Sequence, residues 1–124
     1  MGSSQVDLAI RAGDIVTLIS KIVEVSENGG TDEINGGAGF TGVEVIKFVL
    51  VDRTGTVVLN AVTASIVSNG EATVSKTLSA TDTATAGRYT YYWIVDNVAG
   101  TGARRRTEDL TLTIGPKADT YTGA

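Results

Sequence analysis

The side chains that could carry chemistry in this chain are carboxylates, hydroxyls and arginines, because its 124 residues include neither histidine nor cysteine. Their absence excludes imidazole bases, thiolate nucleophiles, disulfide bonds and the usual ligands of zinc and copper. The carboxylate pairs Asp32-Glu33 and Glu108-Asp109 are adjacent in sequence, whereas hydrolytic acid–base pairs are held across a cleft. We therefore expect no catalytic residue, no cofactor and no metal site, and we predict that the protein is not an enzyme.

Residues 26–42 combine six glycines with oxygen-bearing side chains. Such a segment can bind calcium, but its spacing matches neither an EF-hand nor a calcium-binding repeat. The pattern favours a long flexible loop, and loops of more than about 12 residues often contact partners. We assign Asp32, Glu33 and Phe40 to partner contact.

The only dense run of charge is Arg104-Arg105-Arg106, whose members point to alternate faces at the start of a strand. Two interpretations stay open for this run. One is a solvated sheet edge, and the other is a set of salt bridges to an acidic patch on a neighbouring subunit. We assign all three arginines to partner contact, together with Tyr121 in the polar C-terminal tail.

The elements that must position these residues are predicted to be strands. The chain is 42% hydrophobic, contains 15 glycines and one proline, and is rich in Val, Ile and Thr, a composition typical of pleated sheets joined by turns. Residues 14–25 fit both helical spacing and strand alternation, and their β-branched content favours a strand. Residues 43–51 are apolar on both faces, which predicts a strand covered on both sides or one that lies in an oligomer interface.

Turn signals divide the rest of the chain. Asn69-Gly70 predicts a tight hairpin between strands at 61–67 and 71–78, and a last strand is predicted at 104–114. A small, polar corner at 79–87 leads into an aromatic strand, where core packing is favoured over a carbohydrate-stacking platform. We predict an arm at 1–12, a β-sandwich domain at 13–115 of about seven to nine short strands, and a tail at 116–124.

Charge and hydropathy restrict the partners. The net charge of −4 argues against nucleic-acid binding, which needs a basic surface. The N-terminus lacks the features of a signal peptide, and no apolar run approaches the ~20 residues of a membrane span. We expect no nucleic acid and no membrane as partners, and synthesis in the cytoplasm.

The corner resembles the tyrosine corner of immunoglobulin-like domains. The residues that carry this resemblance are Asp82, Ala86, Gly87, Tyr89 and Tyr91. It implies an all-β, immunoglobulin-like antiparallel β-sandwich, and the missing intersheet cysteines separate the chain from antibody-type domains.

A second resemblance covers about residues 13–114. The chain is similar to small β-sandwich domains of tailed-bacteriophage virions, in particular the N-terminal domain of baseplate upper proteins. It is carried by Gly13-Asp14, Thr41-Gly42, Phe48-Val49-Leu50-Val51-Asp52, Gly55-Thr56-Val57-Val58, Asp82-Thr83, Ala86-Gly87-Arg88-Tyr89, Trp93 and Leu112-Thr113-Ile114.

This resemblance implies a non-enzymatic structural protein of the virion: a tail or baseplate subunit, a fibre adaptor or a capsid decoration protein. Its expected partners are other copies of itself, as a homo-oligomer, and other virion proteins. The alternative from a different class is a carbohydrate- or cell-surface-binding β-sandwich module.

Overall fold

Ten short β-strands carry the fold in a computed structural model that describes residues 9–25, 31–33 and 39–117. Within those ranges no helix is formed. The strands are β1 (Val16–Lys21), β2 (Val23–Val25), β3 (Thr31–Glu33), β4 (Val45–Val51), β5 (Val57–Thr63), β6 (Ser65–Ser68), β7 (Thr73–Leu78), β8 (Gly87–Val98), β9 (Ala103–Arg106) and β10 (Leu110–Ile114).

The strands form two main antiparallel sheets. The smaller sheet has the order β1-β7-β6, and the larger has the order β10-β8-β4-β5 with β9 also paired to β8. These orders correspond to B-E-D and G-F-C-C′ of an immunoglobulin sandwich. The predicted all-β, immunoglobulin-like sandwich is confirmed.

The core lies between the sheets and is centred on aromatic rings of β4 and β8. Trp93 and Phe48 are fully buried, and their ring centroids lie 4.9 Å apart in an edge-to-face arrangement, which aromatic pairs prefer. Val74 and Leu78 of the smaller sheet belong to the same cluster. Core packing of the aromatic strand is thus confirmed for Trp93 and also for Tyr89, which is 5% exposed.

The corner before β8 is the predicted tyrosine corner. The Tyr89 hydroxyl donates to the backbone oxygen of Thr85 at 2.5 Å, the backward bond that defines the motif. The buried Thr83 hydroxyl donates to the oxygen of Asp14 at 2.6 Å, and Gly13 N–H donates to Thr83 O at 3.0 Å. These bonds hold the corner against the turn that precedes β1.

Residues 14–25 form strands, as their β-branched content favoured, but the strand is interrupted. Ile22 leaves the ladder, is 5% exposed and donates its N–H to Ala72 O at 2.8 Å. The chain then continues as β2, which pairs with β3. Prediction of an uninterrupted loop over residues 26–42 is therefore wrong at Thr31–Glu33. The polar side chains there gave no alternation signal, although backbone groups alone can form a ladder.

Three further boundaries differ from the sequence-based prediction. The predicted strand at 61–67 is two strands, because Ala64 donates to Ile46 O at 2.9 Å at the point where the chain passes from the larger sheet to the smaller one. The Asn69-Gly70 hairpin is a four-residue connection, in which the left-handed residue is Ala72 (φ 51°). Residues 43–51 are covered on both faces only in part, since Val49 is 4% exposed but Val45 is 45% exposed.

Candidate functional site

The predicted arginine run forms β9 at the edge of the larger sheet. β9 pairs with the second half of β8, and β10 pairs with the first half. Between them Thr107 donates its N–H to Trp93 O at 2.9 Å and accepts the N–H of Trp93 at 3.0 Å. The single last strand predicted at 104–114 is therefore interrupted by this contact.

Arg104 pairs with Asp96 on the outer side of the sheet. Its Nε contacts Asp96 Oδ1, and its Nη2 lies 3.1 Å from Oδ2. Lys47 Nζ lies 3.2 Å from the same carboxylate. The hydrogen bond from Arg104, together with that from Lys47, holds the pKa of Asp96 below its usual value of 3.8. Asp96 thus stays ionised between two cations of its own chain.

Arg106 packs over an aromatic ring on the same outer side. Its guanidinium carbon lies 3.7 Å from the centroid of Tyr92, within the range of a cation–π contact. The guanidinium also pairs with Asp109 and donates to Thr107 O at 3.1 Å. We call the outer surface formed by Lys47, Tyr92, Asp96, Arg104 and Arg106 the charged face.

The structure places the other predicted contact residues apart from this face. Arg105 is exposed, pairs with Val95 and so lies on the opposite side of β9. Asp32 and Glu33 contribute backbone to β3, while their side chains and the whole of Tyr121 lie outside the described part of the chain. Phe40 is 4% exposed and belongs to the core, so its ring is not available for the partner contact that the sequence suggested.

Glu44 is a structural residue that sequence reasoning missed. It is 6% exposed and accepts the N–H groups of Thr41 (2.9 Å) and Ala99 (3.0 Å), among others. Burial acts to raise the pKa of Glu44, but the hydrogen bonds from Thr41 and Ala99 outweigh it and bring the pKa below its usual 4.5. Its carboxylate ties the segment before β4 to the turn after β8. In the sequence, the only sign of this role was an acidic residue inside the apolar run of residues 43–51.

The outer surface of the smaller sheet is the second feature that sequence reasoning missed. We call it the hydroxyl face. It contains the outward-facing residues of β1, β7 and β6 together with the residue before β1: Ile15, Thr17, Ile19, Lys21, Ser65, Val67, Thr73, Ser75 and Thr77. Among these nine residues there is no carboxylate and one ammonium group.

Large apolar side chains stand exposed on the hydroxyl face. Ile15 is 73% exposed, Ile19 is 64% exposed and Val67 is 58% exposed. Between them Thr17 and Thr77 form a cross-strand hydroxyl pair, with 2.9 Å between the two Oγ1 atoms. The sequence signal was the alternation of residues 15–21, which puts Ile15 and Ile19 opposite the core-facing Leu18 once the segment is known to be a strand.

An open groove of about 340 Å³ lies between the β4–β5 turn and the tyrosine corner. Asp52 Oδ1 accepts the N–H groups of Thr54 and Thr56 at 2.9 Å each. The hydrogen bond from the Thr54 side chain is the largest of several that lower the pKa of Asp52 below its usual 3.8. Asp82 Oδ2 accepts the N–H of Ser79 at 2.8 Å. Both carboxylates of the groove therefore fix turns.

Across residues 9–25, 31–33 and 39–117, no group of three or more His, Cys, Asp or Glu side chains is placed to hold a metal ion. The same ranges contain no helix that is both long and apolar enough to cross a membrane. Comparisons with protein-family models, curated proteins and solved structures give no match.

Proposed function

We propose that this chain is a non-enzymatic structural β-sandwich that works by assembly, and that the hydroxyl face is the surface through which it assembles. The observation that carries the proposal is the exposure of Ile15, Ile19 and Val67 on one side of one sheet. Several exposed apolar side chains grouped on one face are typical of interaction surfaces in folded proteins.

The chemistry of the hydroxyl face supports the proposal. The buried centres of protein interfaces are depleted in charge, and of the nine residues on this face only Lys21 is charged. Covering Ile15 or Ile19 removes apolar surface from water at about 25 cal/mol per Å². The Thr and Ser hydroxyls lose little on desolvation as long as a partner satisfies them.

The virion setting of the proposal rests on the motif resemblance over residues 13–114. We place the chain among virion structural proteins, as a tail or baseplate subunit, a fibre adaptor or a capsid decoration protein.

Carbohydrate binding gains no support from the aromatic residues that suggested it. Trp93 and Tyr89 are buried, and the ring of Tyr92 is covered by Arg106. A stacking platform needs exposed ring faces. We therefore retain assembly as the proposed function.

The proposal is tested by following the chain in a lysate that contains the virus particles of its source. A tagged copy is sedimented on a density gradient beside two variants, Val67→Lys on the hydroxyl face and Val57→Lys on β5 of the larger sheet. These valines are a matched pair, because they are 58% and 50% exposed. We expect the parent chain and Val57→Lys in the particle fraction and Val67→Lys mostly outside it. A parent chain found only in the unassembled fractions would overturn the proposal.

A further inference from the structure

We infer that the partner of the hydroxyl face is the same face of a second copy of this chain, packed about a two-fold axis that runs along β7. This inference rests on the proposed assembly function and names its partner. It follows from the charge, the hydrogen-bonding chemistry and the strand order of the face.

Charge is the first reason. In a two-fold contact, each residue near the axis lies close to the same residue of the second chain. Two chains that each carry a net charge of −4 repel one another. The hydroxyl face adds almost nothing to that repulsion, since Lys21 at the end of β1 is its one charged residue. The charged face carries both signs, and packing it against a second copy would remove the ion pairs of Asp96 with Lys47 and Arg104 from water.

Hydrogen bonding is the second reason. A Thr or Ser hydroxyl is both a donor and an acceptor, so a surface of hydroxyls can satisfy an identical surface. An arginine surface offers donors alone, and a carboxylate surface offers acceptors alone. Thr17 and Thr77 already bond to each other within one copy at 2.9 Å, and each hydroxyl oxygen keeps further acceptor capacity toward a facing sheet.

Strand order is the third reason. Ile19, Ser75 and Ser65 form one row across β1, β7 and β6. A two-fold axis along the central strand places β1 of each copy over β6 of the other, so Ile19 faces Ser65 and Ser75 faces its own counterpart. Large side chains then meet small ones, as close packing of two sheet faces about 10 Å apart requires.

Area predicts the strength of this contact. The three strands contain six, six and four residues; at about 3.3 Å per residue and about 4.8 Å between strands they give a footprint on the order of 250 Å² per copy. Stable interfaces bury about 800 Å² per partner. The isolated pair is therefore expected to be weak and to depend on protein concentration.

Sedimentation equilibrium of the purified full chain from roughly 1 to roughly 500 µM tests this directly. We expect a monomer–dimer equilibrium whose dissociation constant rises at least tenfold in Val67→Lys and less than twofold in Val57→Lys. Thermal melts of both variants show whether they are folded. A parent chain that stays monomeric throughout, or an equal loss in both variants, would overturn the inference.

A cysteine trap provides a test that tolerates a weak contact, because the chain has no native cysteine. Ser75→Cys lies at the proposed axis and is expected to form a linked dimer with a short bifunctional maleimide, while Val57→Cys at similar concentration stays unlinked. A cross-linker is needed because facing sheets lie about 10 Å apart, beyond the Cα separation of about 7 Å that a disulfide can bridge. Equal linkage in the two variants, or none in Ser75→Cys, would count against the two-fold pair.

The two proposals fail in different ways. If the parent chain sediments with particles and Val67→Lys does not, yet no dimer or cross-link forms, the face binds another protein and only the second-copy inference is wrong. If the chain dimerises as expected but never sediments with particles, the particle role is wrong and the self-contact stands.

Discussion

The two outer faces of this sandwich satisfy their polar groups in opposite ways. On the charged face, Arg104 and Lys47 contact Asp96, and Arg106 contacts Tyr92 and Asp109. On the hydroxyl face, every polar group except the Lys21 ammonium is a hydroxyl, and these hydroxyls lie among exposed isoleucine and valine side chains. The densest charge in the sequence is therefore engaged within the chain, and the surface whose exposed isoleucines a partner could cover is almost uncharged.

The difference has an energetic basis. Exposed ion pairs contribute about 0–1 kcal/mol each, because water and salt screen them. Their side chains would have to be released and desolvated before they could serve a partner. Apolar side chains such as Ile15 and Ile19, 73% and 64% exposed, make no ion pair that a partner would have to break, so covering them is favourable.

The largest loss of stability is expected from a change to the buried carboxylate. Glu44→Gln leaves the N–H donors of Thr41 and Ala99 with a neutral amide, and we expect a loss of about 2 kcal/mol in the free energy of unfolding. Asp96→Asn on the charged face should cost much less. Urea denaturation at neutral pH measures both variants, and equal losses would contradict the contrast between buried and exposed carboxylates.

Acid titration tests the contribution of the buried carboxylate. Because the pKa of Glu44 is lowered in the folded chain, its contribution is present above its usual pKa of 4.5 and is lost as the pH falls through the lowered value. We expect parent stability to fall below about pH 4.5, and Glu44→Gln to lose less stability than the parent over that range. Melting temperatures from pH 7 downward give the comparison. Parallel curves for parent and variant would rule out Glu44 as a source of this acid sensitivity.

A smaller effect is expected from the charged face itself. Arg106→Ala removes the contact with the Tyr92 ring and the pair with Asp109, and exposed contacts of this kind are worth about 0.5–1 kcal/mol. Because the proposed contact surface is on the other sheet, the dissociation constant of the dimer should not change. Chemical denaturation and sedimentation of one sample measure both quantities. A variant with normal stability but weakened association would move the contact surface to the charged face.

The sequence allowed the fold to be predicted in good measure. Alternating Val, Ile and Thr residues, together with the Asp82–Tyr89 corner, were enough for the sandwich because pleat periodicity and turn chemistry are local. Interruptions at Ile22, Ala64 and Thr107 were missed. Each is fixed by a backbone contact to a residue distant in sequence, such as the bond from Ala64 to Ile46, and no local pattern encodes such a contact.

The candidate site was harder to predict from the sequence. Arg104, Arg105 and Arg106 stand out as a run, but their engagement with Asp96 and Tyr92 depends on the pairing of β8, β9 and β4. The hydroxyl face consists of alternate residues of three strands that are separated in sequence. None of its members is unusual alone, so it becomes visible only when the register of β1, β7 and β6 is known.

Salt dependence of dimerisation tests the central claim most directly. Raising the salt concentration from about 20 to about 300 mM shortens the Debye length from about 20 Å to about 6 Å. A contact through the hydroxyl face should keep its dissociation constant or tighten, because only the repulsion between two chains of charge −4 is screened. A dissociation constant that rises several-fold with salt would show that ion pairs hold the dimer, and would contradict assembly through the uncharged face.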